Sequence, residues 1–284
     1  MDSLKKMTIV VAAVCVLIGL LAAALPMGMM QRRQREAEKV TPELKTFDID
    51  DSFTSIRIDE INCDVTFYEA KGNTCQVVCT ENRYMVFDVN ADSGILEITQ
   101  KDESKWFDKF GETITDQYIL HVFLPETKFN SVKISTVSGS IDLPEQFKMK
   151  KLEAVTVTGD VTVNSSVTQI ANIATVSGNT VMNRSLLEDF DYVTVGGDLE
   201  LNEVTVLGEM DFDSTSGNIV LTNCDAEEIE ISTVGGNVTA SFLTEKEIHA
   251  ETVSGTVNVP KTVVGAGRCD VDTVSGDITV TMVG

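Results

Sequence analysis

The chain has 284 residues, enough for one or two domains with a sizeable core, and 22 lysines and arginines against 44 aspartates and glutamates. From Leu152 onward there are 4 basic and 21 acidic residues, a net charge of −17. This acidity argues against nucleic-acid binding, because it repels polyanions, and it favours cations or basic partners.

The amino-terminal region contains 24 uncharged, mostly apolar residues at 7–30. About 20 such residues span the hydrocarbon core as a helix, whereas a cleaved signal peptide carries only about 7–15. We therefore predict a short tail at 1–6, an uncleaved transmembrane helix at 7–30 that contacts the lipid bilayer, and a juxtamembrane linker at 31–43. Lys5 and Lys6 precede the helix and QRRQR follows it, so charge does not give the orientation.

Residues 44–131 are divergent, although the strand period of two recurs in them. SIRIDEINCDVTFYEA alternates apolar and polar residues around Cys63, and YMVFDVNADSGILEITQ has a strand–turn–strand pattern with DSG at 92–94. A solenoid needs an end that protects its core. We predict that this region forms wider first coils that cap the repeats.

The segment at 101–116, KDESKWFDKFGETITD, is the candidate protruding loop. It carries Trp106, the single tryptophan of the chain, together with Phe107 and Phe110. Aromatic residues on a loop can form a binding tip. They can equally fold down as a lid on the open end of the core, so both roles stay open.

One six-residue motif of the TVSGDI type occurs eight times between residues 136 and 278. Its fourth residue is always glycine, and successive glycines are 19 to 21 residues apart. The positions seven and five before each glycine, and two and four after it, are apolar except for Thr180. Spacing by two is the strand period, so each repeat predicts two short strands. The predicted structural turn residues are Gly139, Gly159, Gly178, Gly197, Gly217, Gly236, Gly255 and Gly276.

A single coil of this kind cannot bury its apolar face, but stacked coils can, because each strand pairs with its copy in the next coil. The predicted fold class is all-β: a single-stranded β-solenoid, or β-helix, of 19–20-residue coils over residues 132–284. We expect the glycines to supply backbone angles that a Cβ resists, and the polar residue after each one to hydrogen-bond the local backbone. We expect the valine before each Ser-Gly or Gly-Gly pair to be at least partly buried.

The sequence indicates no metal site and no cofactor. His121 and His249 are far apart in the chain, and Cys75 and Cys79 would lie about 13 Å apart on one strand. Aspartates and asparagines fill the corner column, but calcium-binding solenoids use a nonapeptide repeat that these coils lack. Cys269 falls in an inward apolar column, which predicts a buried thiol.

Polysaccharide cleavage is the enzymatic hypothesis to weigh. Asp160 and Asp198 would lie about 9.6 Å apart, at the edge of the separation of about 6.5–9.5 Å in inverting glycosidases. Both already have a turn role, and an acidic groove would repel acidic glycans. We predict that the protein is not an enzyme.

The series of TVSG[DNS] coils, with the amino-terminal anchor and LPE at 124–126, resembles the putative-adhesin β-strand-repeat family over roughly residues 44–284. These bacterial domains of unknown function occur in membrane-anchored envelope proteins, including the anchored component of the Lia envelope-stress operon. The resemblance implies a single-pass cell-membrane protein with an extracellular solenoid, and it carries over no catalytic residues.

The function expected is that of a non-catalytic envelope module, related to envelope stress, that interacts with an envelope protein or a glycan. A surface adhesin or polysaccharide-binding protein is the alternative, and a polysaccharide-cleaving β-helix enzyme ranks third.

Overall fold

The structure, a computed structural model, describes residues 42–82, 84–103 and 118–283. Within these ranges the chain forms strands and connecting turns, with no helix. Residues 1–41 lie outside the described residues, so the tail, the transmembrane helix and the linker stay predictions. Over the described part of the chain, no helix is long and apolar enough to cross a membrane.

Twenty-five strands follow one another over the described residues. The first seven are β1 (Glu43–Ile49), β2 (Ser55–Asp59), β3 (Cys63–Glu69), β4 (Cys75–Glu81), β5 (Met85–Asp92), β6 (Ile95–Asp102) and β7 (Tyr118–Leu124). The next ten are β8 (Lys128–Ser135), β9 (Ile141–Leu143), β10 (Lys148–Thr156), β11 (Val161–Val163), β12 (Ser166–Thr175), β13 (Thr180–Asn183), β14 (Leu186–Leu187), β15 (Asp189–Thr194), β16 (Leu199–Asn202) and β17 (Thr205–Val206). The last eight are β18 (Glu209–Ser214), β19 (Ile219–Cys224), β20 (Glu228–Thr233), β21 (Val238–Phe242), β22 (Lys246–Thr252), β23 (Val257–Asn258), β24 (Gly267–Thr273) and β25 (Ile278–Met282).

The strands form two long sheets around one core, and a third sheet pairs β14 with β17. The first sheet has the order β1-β4-β7-β3-β9-β11-β13-β16-β19-β21-β25-β23, and the second β22-β24-β20-β18-β15-β12-β10-β8-β2-β6-β5. From β8 onward neighbouring strands are parallel and equivalent repeat positions stand opposite one another, as Leu152 does between Val132 and Ala171. This is the register that the repeat spacing predicts, and the all-β solenoid is confirmed.

The core is built from the apolar columns of the repeat. In β11 and β13, as in most strands, inward residues are buried and the residues between them are half-buried or exposed, which is the strand period of two. Phe212 packs edge-to-face on Phe190, with the ring centroids 5.2 Å apart, and on Tyr192 at 6.4 Å. Burying an aromatic side chain of this size contributes about 1.5–3 kcal/mol, so the stack is stabilised mainly by such columns.

The order of the coils in space differs from their order in the chain at both ends. β24 pairs with both β20 and β22, and β25 pairs with both β21 and β23, so the last coil in the chain is inserted beneath the preceding one. The coil of β2 and β3 is likewise inserted between those of β6–β7 and β8–β9. The prediction that each coil stacks on the next one in the chain is wrong at these two points. Exchanging two coils in the stack keeps every apolar column in register, so the repeat pattern does not reveal this swap.

The amino-terminal end contains antiparallel strands that the spacing did not predict. β4 is antiparallel to β7 and β1 to β4, while β5 and β6 form a hairpin. The turn of that hairpin has positive φ at Ser93 (51°) and Gly94 (80°). Positive φ at both central residues matches the right-handed twist of the flanking strands. The boundary between residues 44–131 and 132–284 stays a prediction.

A buried ion pair lies where the chain steps to the outermost coil. The Lys246 side chain is 2% exposed, and its ammonium donates to the Asp225 carboxylate. It also donates to the carbonyl oxygen of Ala226 at 2.7 Å and to Thr244 Oγ1 at 2.9 Å. Gly267 lies against this group, because a Cβ there would be 3.0 Å from Lys246 Nζ. A buried ammonium is tolerated only when paired and hydrogen-bonded, so these contacts fix β22 relative to the coils beneath it.

Candidate functional site

The corner glycines lie in one column along the solenoid. Each packs on the backbone of the coil beneath it: a Cβ on Gly159 would lie 1.8 Å from the carbonyl oxygen of Gly139. The glycines have no positive φ. The prediction that their backbone angles require glycine is therefore wrong, and the close approach of neighbouring coils is the reason. Their order in space is Gly139, Gly159, Gly178, Gly197, Gly217, Gly236, Gly276 and Gly255.

The polar residue after each glycine bonds the next coil in space. Asp160 Oδ1 accepts the Asn179 N–H at 2.8 Å, and Asp198 Oδ1 accepts the Asn218 N–H at 2.7 Å. The prediction of bonds to the local backbone is wrong for this residue, because the threonine or serine three before the glycine accepts the glycine N–H instead. The acceptors of this corner ladder are Asp64, Ser140, Asp160, Asn179, Asp198, Asn218, Asn237 and Asp277.

The two aspartates considered for glycan cleavage are both members of the corner ladder. Asp160 and Asp198 each hold a backbone amide of the coil above. These carboxylates already accept hydrogen bonds that join neighbouring coils, which weakens the case for them as a catalytic acid and base.

The coil of β2 and β3 continues the corner with other residues. Cys63 takes the glycine position, since a Cβ on Gly139 would lie 1.6 Å from its carbonyl oxygen. Glu60 takes the position of the corner threonine, with Oε2 accepting the Cys63 N–H at 2.6 Å and Oε1 without a hydrogen-bond partner among the described residues. Burial raises the pKa of Glu60 to about 7. Sequence reasoning did not single out Glu60; its signal is a glutamate at the threonine position of a degenerate motif.

Two hydroxyls in the core of the described region lack a partner in hydrogen-bond geometry, those of Thr180 and Tyr192. Both residues are fully buried. Burial raises the pKa of Tyr192, and the hydroxyls of Thr175, Thr194 and Thr180 oppose this. Each unsatisfied buried hydroxyl costs about 1–3 kcal/mol of desolvation free energy, so these two groups lower the stability of the core. Thr180 is the polar exception in the apolar columns of the sequence.

Metal and thiol chemistry find no support in the described ranges. There, no group of three or more His, Cys, Asp or Glu side chains could hold a metal ion. The cysteines at 63, 75, 79, 224 and 269 are free and buried. Burial raises the pKa of Cys224 to about 11 and that of Cys269 to about 12. Because the thiolate is the nucleophile, such thiols are unreactive at neutral pH.

An apolar stripe runs along the corner, formed by the residue after each corner threonine. The burial expected for these valines is wrong in the carboxyl-terminal half of the solenoid, where the residue points to solvent. Val137, Val157 and Val176 are half-buried. The exposed members are Val195, Val234, Val274 and Val253. We call these seven residues the valine stripe.

The outer face of the second sheet is acidic from β15 to β22. We define this acidic face as Asp189, Asp191, Glu209, Asp211, Asp213, Glu228, Glu230, Asp270, Asp272, Glu247 and Glu251, with Arg268 and His249 as its two basic residues. Asp211 and Asp213 are buried, and the other carboxylates are half-buried or exposed. Burial and then Glu230 raise the pKa of Asp213, while burial, Glu251 and Asp270 raise that of Asp272. Mutual repulsion of this kind is relieved by a basic partner.

A groove of about 630 Å³ lies at the edge of the acidic face. Asp189, Glu209, Glu227 and Glu228 line it, together with Arg268 and glycines. Arg268 is engaged, because it donates to Glu228 at 3.1 Å and to Asp270. The groove therefore presents carboxylates and excludes anionic ligands.

An aromatic patch lies on the outer face of the first sheet, formed by Tyr68, His121 and Phe123. Tyr68 stacks on Phe123 with ring centroids 5.1 Å apart, and His121 meets the Tyr68 ring edge-on at 5.1 Å. Tyr68 is exposed and its two neighbours are half-buried. His121 is thus part of a ring cluster on a sheet surface.

The candidate interaction loop at 101–116 begins later than predicted, because Lys101 and Asp102 belong to β6 and pair with β5. Its part with Trp106, Phe107 and Phe110 falls outside the described residues. Its two alternative roles stay predictions.

A family model described as Toastrack DUF4097 matches residues 53–284. No curated protein matches the chain. The crystal structure of a protein named "putative lipid binding protein" from Parabacteroides distasonis is 17% identical, with 86% of this chain and 97% of that chain covered and a TM-score of 0.53. A "putative adhesin" from the same organism is 17% identical, with 83% and 97% covered and a TM-score of 0.45. At these identities the likeness concerns the fold alone. Since the family model covers most of its length, the chain belongs to the Toastrack DUF4097 family.

Proposed function

We propose that this protein is a non-catalytic, membrane-anchored β-solenoid of the bacterial cell envelope that acts as an interaction module. The observation that carries the proposal is how the polar atoms of the repeat are used. The side chains of the corner ladder hold backbone amides of neighbouring coils, and the thiols are buried. What the solenoid offers to solvent is extended surface, namely the accessible carboxylates of the acidic face and the exposed part of the valine stripe. Extended surfaces of repeat proteins suit binding.

The proposed location rests on the predicted transmembrane helix at 7–30, with a single pass and an extracellular solenoid. Strand β1 begins at Glu43, the last residue of the predicted linker. Twelve stacked strands extend about 53 Å at 4.8 Å per strand, so the solenoid can carry a binding surface well away from the bilayer. A role in envelope stress, as in the anchored Lia component that the sequence resembles, is part of the proposal.

The test is capture of envelope proteins by the full-length chain, cross-linked in intact cells. Charge reversal of Glu209→Lys with Glu228→Lys should reduce capture of basic partners, because both carboxylates belong to the acidic face and its groove. The matched control is Glu97→Lys on β6, which is half-buried and outward like Glu209 and Glu228 but lies outside the acidic face. Capture of no specific partner by any version would contradict the proposal, and protease shaving of intact cells tests the orientation.

Deletion of residues 104–116, which leaves strand β6 intact, separates the two roles of the candidate loop. Loss of a captured partner with an intact solenoid makes the loop a binding tip. Unfolding of the solenoid makes it a lid on the core.

The alternative is an adhesin or polysaccharide-binding protein, and the aromatic patch is the observation that favours it. Sugar rings pack their apolar faces on exposed aromatic rings, and Tyr68 with Phe123 presents such a pair. Retention of the full-length chain on purified cell-wall polysaccharide should fall for Tyr68→Ala, while Leu44→Ala, an exposed apolar residue outside the patch, should leave it unchanged. Equal retention of the two variants would rule out the patch as the glycan site.

A further inference from the structure

The carboxyl-terminal end of the solenoid exposes two sheet edges. β22 is the outermost strand of the second sheet and β23 that of the first, and no described strand pairs with their outer sides. An open edge presents a row of backbone N–H and C=O groups, to which an extended segment of another chain can add.

The connection at 259–266 covers only the first part of the β22 edge. Val263 N–H donates to the carbonyl oxygen of Lys246 at 3.0 Å, and Ile248 N–H donates to Thr262 Oγ1 at 2.8 Å. Backbone groups two residues apart point the same way along a strand. The N–H and C=O of Ala250 therefore point to the same outer side as those of Ile248, beyond the two bonds that the connection makes.

The apolar columns of the core are also open at this end. Cys269 and Val271 on β24 are fully buried, whereas their neighbours Ile248 and Ala250 on β22 are half-buried. Val253, at the following corner, is 83% exposed. A strand added along β22 would continue these columns and remove their apolar surface from water, which is favourable at about 25 cal/mol per Å².

The side chains on the outer face of the edge define the charge of the added strand. Glu247, His249 and Glu251 lie on the outer face of β22, opposite Arg268, Asp270 and Asp272 of β24 in that order. Glu251 contacts His249 at 3.2 Å, and Glu247 accepts the Gly265 N–H at 3.1 Å. Residues directly opposite one another on neighbouring strands interact, and like charges there are destabilising. The added strand must place basic residues on this face.

We propose that the outer edge of β22, from Ile248 to Thr252, binds an extended segment of a partner protein in which apolar and basic residues alternate. The apolar residues cover Ile248 and Ala250, the basic residues face Glu247 and Glu251, and the backbone groups of Ala250 complete the ladder. The inference rests on the proposed binding function and names its site. A second copy of this chain paired antiparallel about His249 is disfavoured, because that register sets Glu247 against Glu251.

The test uses the full-length chain in detergent micelles and a fluorescein-labelled heptapeptide of alternating valine and lysine, with a valine–glutamate heptapeptide as control. Fluorescence anisotropy should show binding of the lysine peptide at least about tenfold tighter than of the glutamate peptide. The double variant Glu247→Lys/Glu251→Lys should reverse this preference. That outcome cannot arise from unfolding, so it remains informative if other variants fold poorly.

Two further variants test the geometry. Ala250→Pro removes the outward N–H and should weaken binding of the lysine peptide by about tenfold, the loss expected for one main-chain hydrogen bond and a distorted ladder. Glu230→Lys lies on the same face two strands inward and should leave the affinity within about twofold.

Equal affinity for the two peptides, an unchanged preference in the double variant, or an equal loss in Glu230→Lys would each overturn the edge proposal. Capture of envelope partners unaffected by Ala250→Pro would overturn this site while leaving the proposed function standing.

Discussion

Replacing Gly197 by alanine tests the physical reason for the glycine column. A Cβ at 197 would lie 1.9 Å from the carbonyl oxygen of Gly178, whereas ordinary contact begins near 3.4 Å. Gly196, its neighbour in the same motif, provides the matched control. A Cβ there would meet nothing closer than Ser216 Oγ at 3.6 Å.

The magnitude follows from the hydrogen bonds that join the two coils at this corner. Relief of the clash requires the coils to separate by about 1.5 Å, which breaks bonds of ordinary length. At about 1 kcal/mol per bond, Gly197→Ala should destabilise the solenoid by about 4 kcal/mol. Gly196→Ala should change stability by less than about 1 kcal/mol. The four bonds are Gly196 N to Val176 O (2.8 Å), Asp198 N to Asn179 Oδ1 (3.0 Å), Thr180 N to Asp198 O (2.8 Å) and Thr175 Oγ1 to Thr194 Oγ1 (2.9 Å).

The assay is urea denaturation of the full-length chain, followed by far-UV circular dichroism, with amide hydrogen exchange by mass spectrometry. Exchange is needed because stacked coils can open locally. In Gly197→Ala the amides of β13 and β16 should lose protection first. Equal stability of Gly197→Ala and Gly196→Ala would refute the steric account.

Three further perturbations follow from single buried groups. Burial raises the pKa of Glu60 from 4.5 to about 7, so the stability that its protonated form contributes is full below about pH 4.5 and is lost as the pH rises through 7. Glu60→Gln should abolish this loss, which amounts to up to about 3 kcal/mol of the free energy of unfolding. The measurement is the urea midpoint across pH 4–8, whose pH dependence Glu97→Gln should leave unchanged. Lys246→Ala should destabilise the solenoid by about 3–5 kcal/mol because it leaves the Asp225 carboxylate without its ion-pair partner. The double variant Lys246→Met with Asp225→Asn should recover part of this stability. Equal losses of stability in the single and the double variant would contradict the ion-pair role. Tyr192→Phe should raise the thermal midpoint, because it removes an unsatisfied buried hydroxyl worth about 1–3 kcal/mol, and a lowered midpoint would indicate a hydrogen bond there.

The repeat made the register of the solenoid predictable. Apolar residues at fixed offsets from each glycine fix which side chains face inward, and the observed partners follow that pattern, as for Phe190 opposite Met210. The coil motif also indicated a family of adhesin-like domains of unknown function, and the match to the Toastrack DUF4097 family supports this coarser prediction. The reason for the glycines was missed, because a tight turn and a close approach of coils select the same residue.

The coil order was not predictable from the columns, because every coil offers the same inward pattern. The available signal was spacing: Gly255 and Gly276 are 21 residues apart, and VPKTVVGA at 259–266 lies between them. That segment crosses the edge of β22 and lets the last coil enter beneath it. The buried ion pair of Lys246 was not predicted for a related reason, because its burial depends on how the chain passes from one coil to the next. Because the last coil of the chain is inserted beneath the preceding one, the open edge proposed for binding is that of β22 and not that of β24.

The order of the coils is tested most directly by disulfide trapping within the valine stripe. The described native cysteines are buried, so engineered exposed pairs oxidise selectively. Val234 and Val274 lie on adjacent coils, within the Cα separation of about 4.4–6.8 Å that a disulfide needs, whereas Val253 lies one coil further out. The swapped stack predicts that mild oxidation cross-links Val234→Cys/Val274→Cys and leaves Val234→Cys/Val253→Cys reduced. Cross-linking of the second pair alone would show that the coils stack in chain order and would contradict the account.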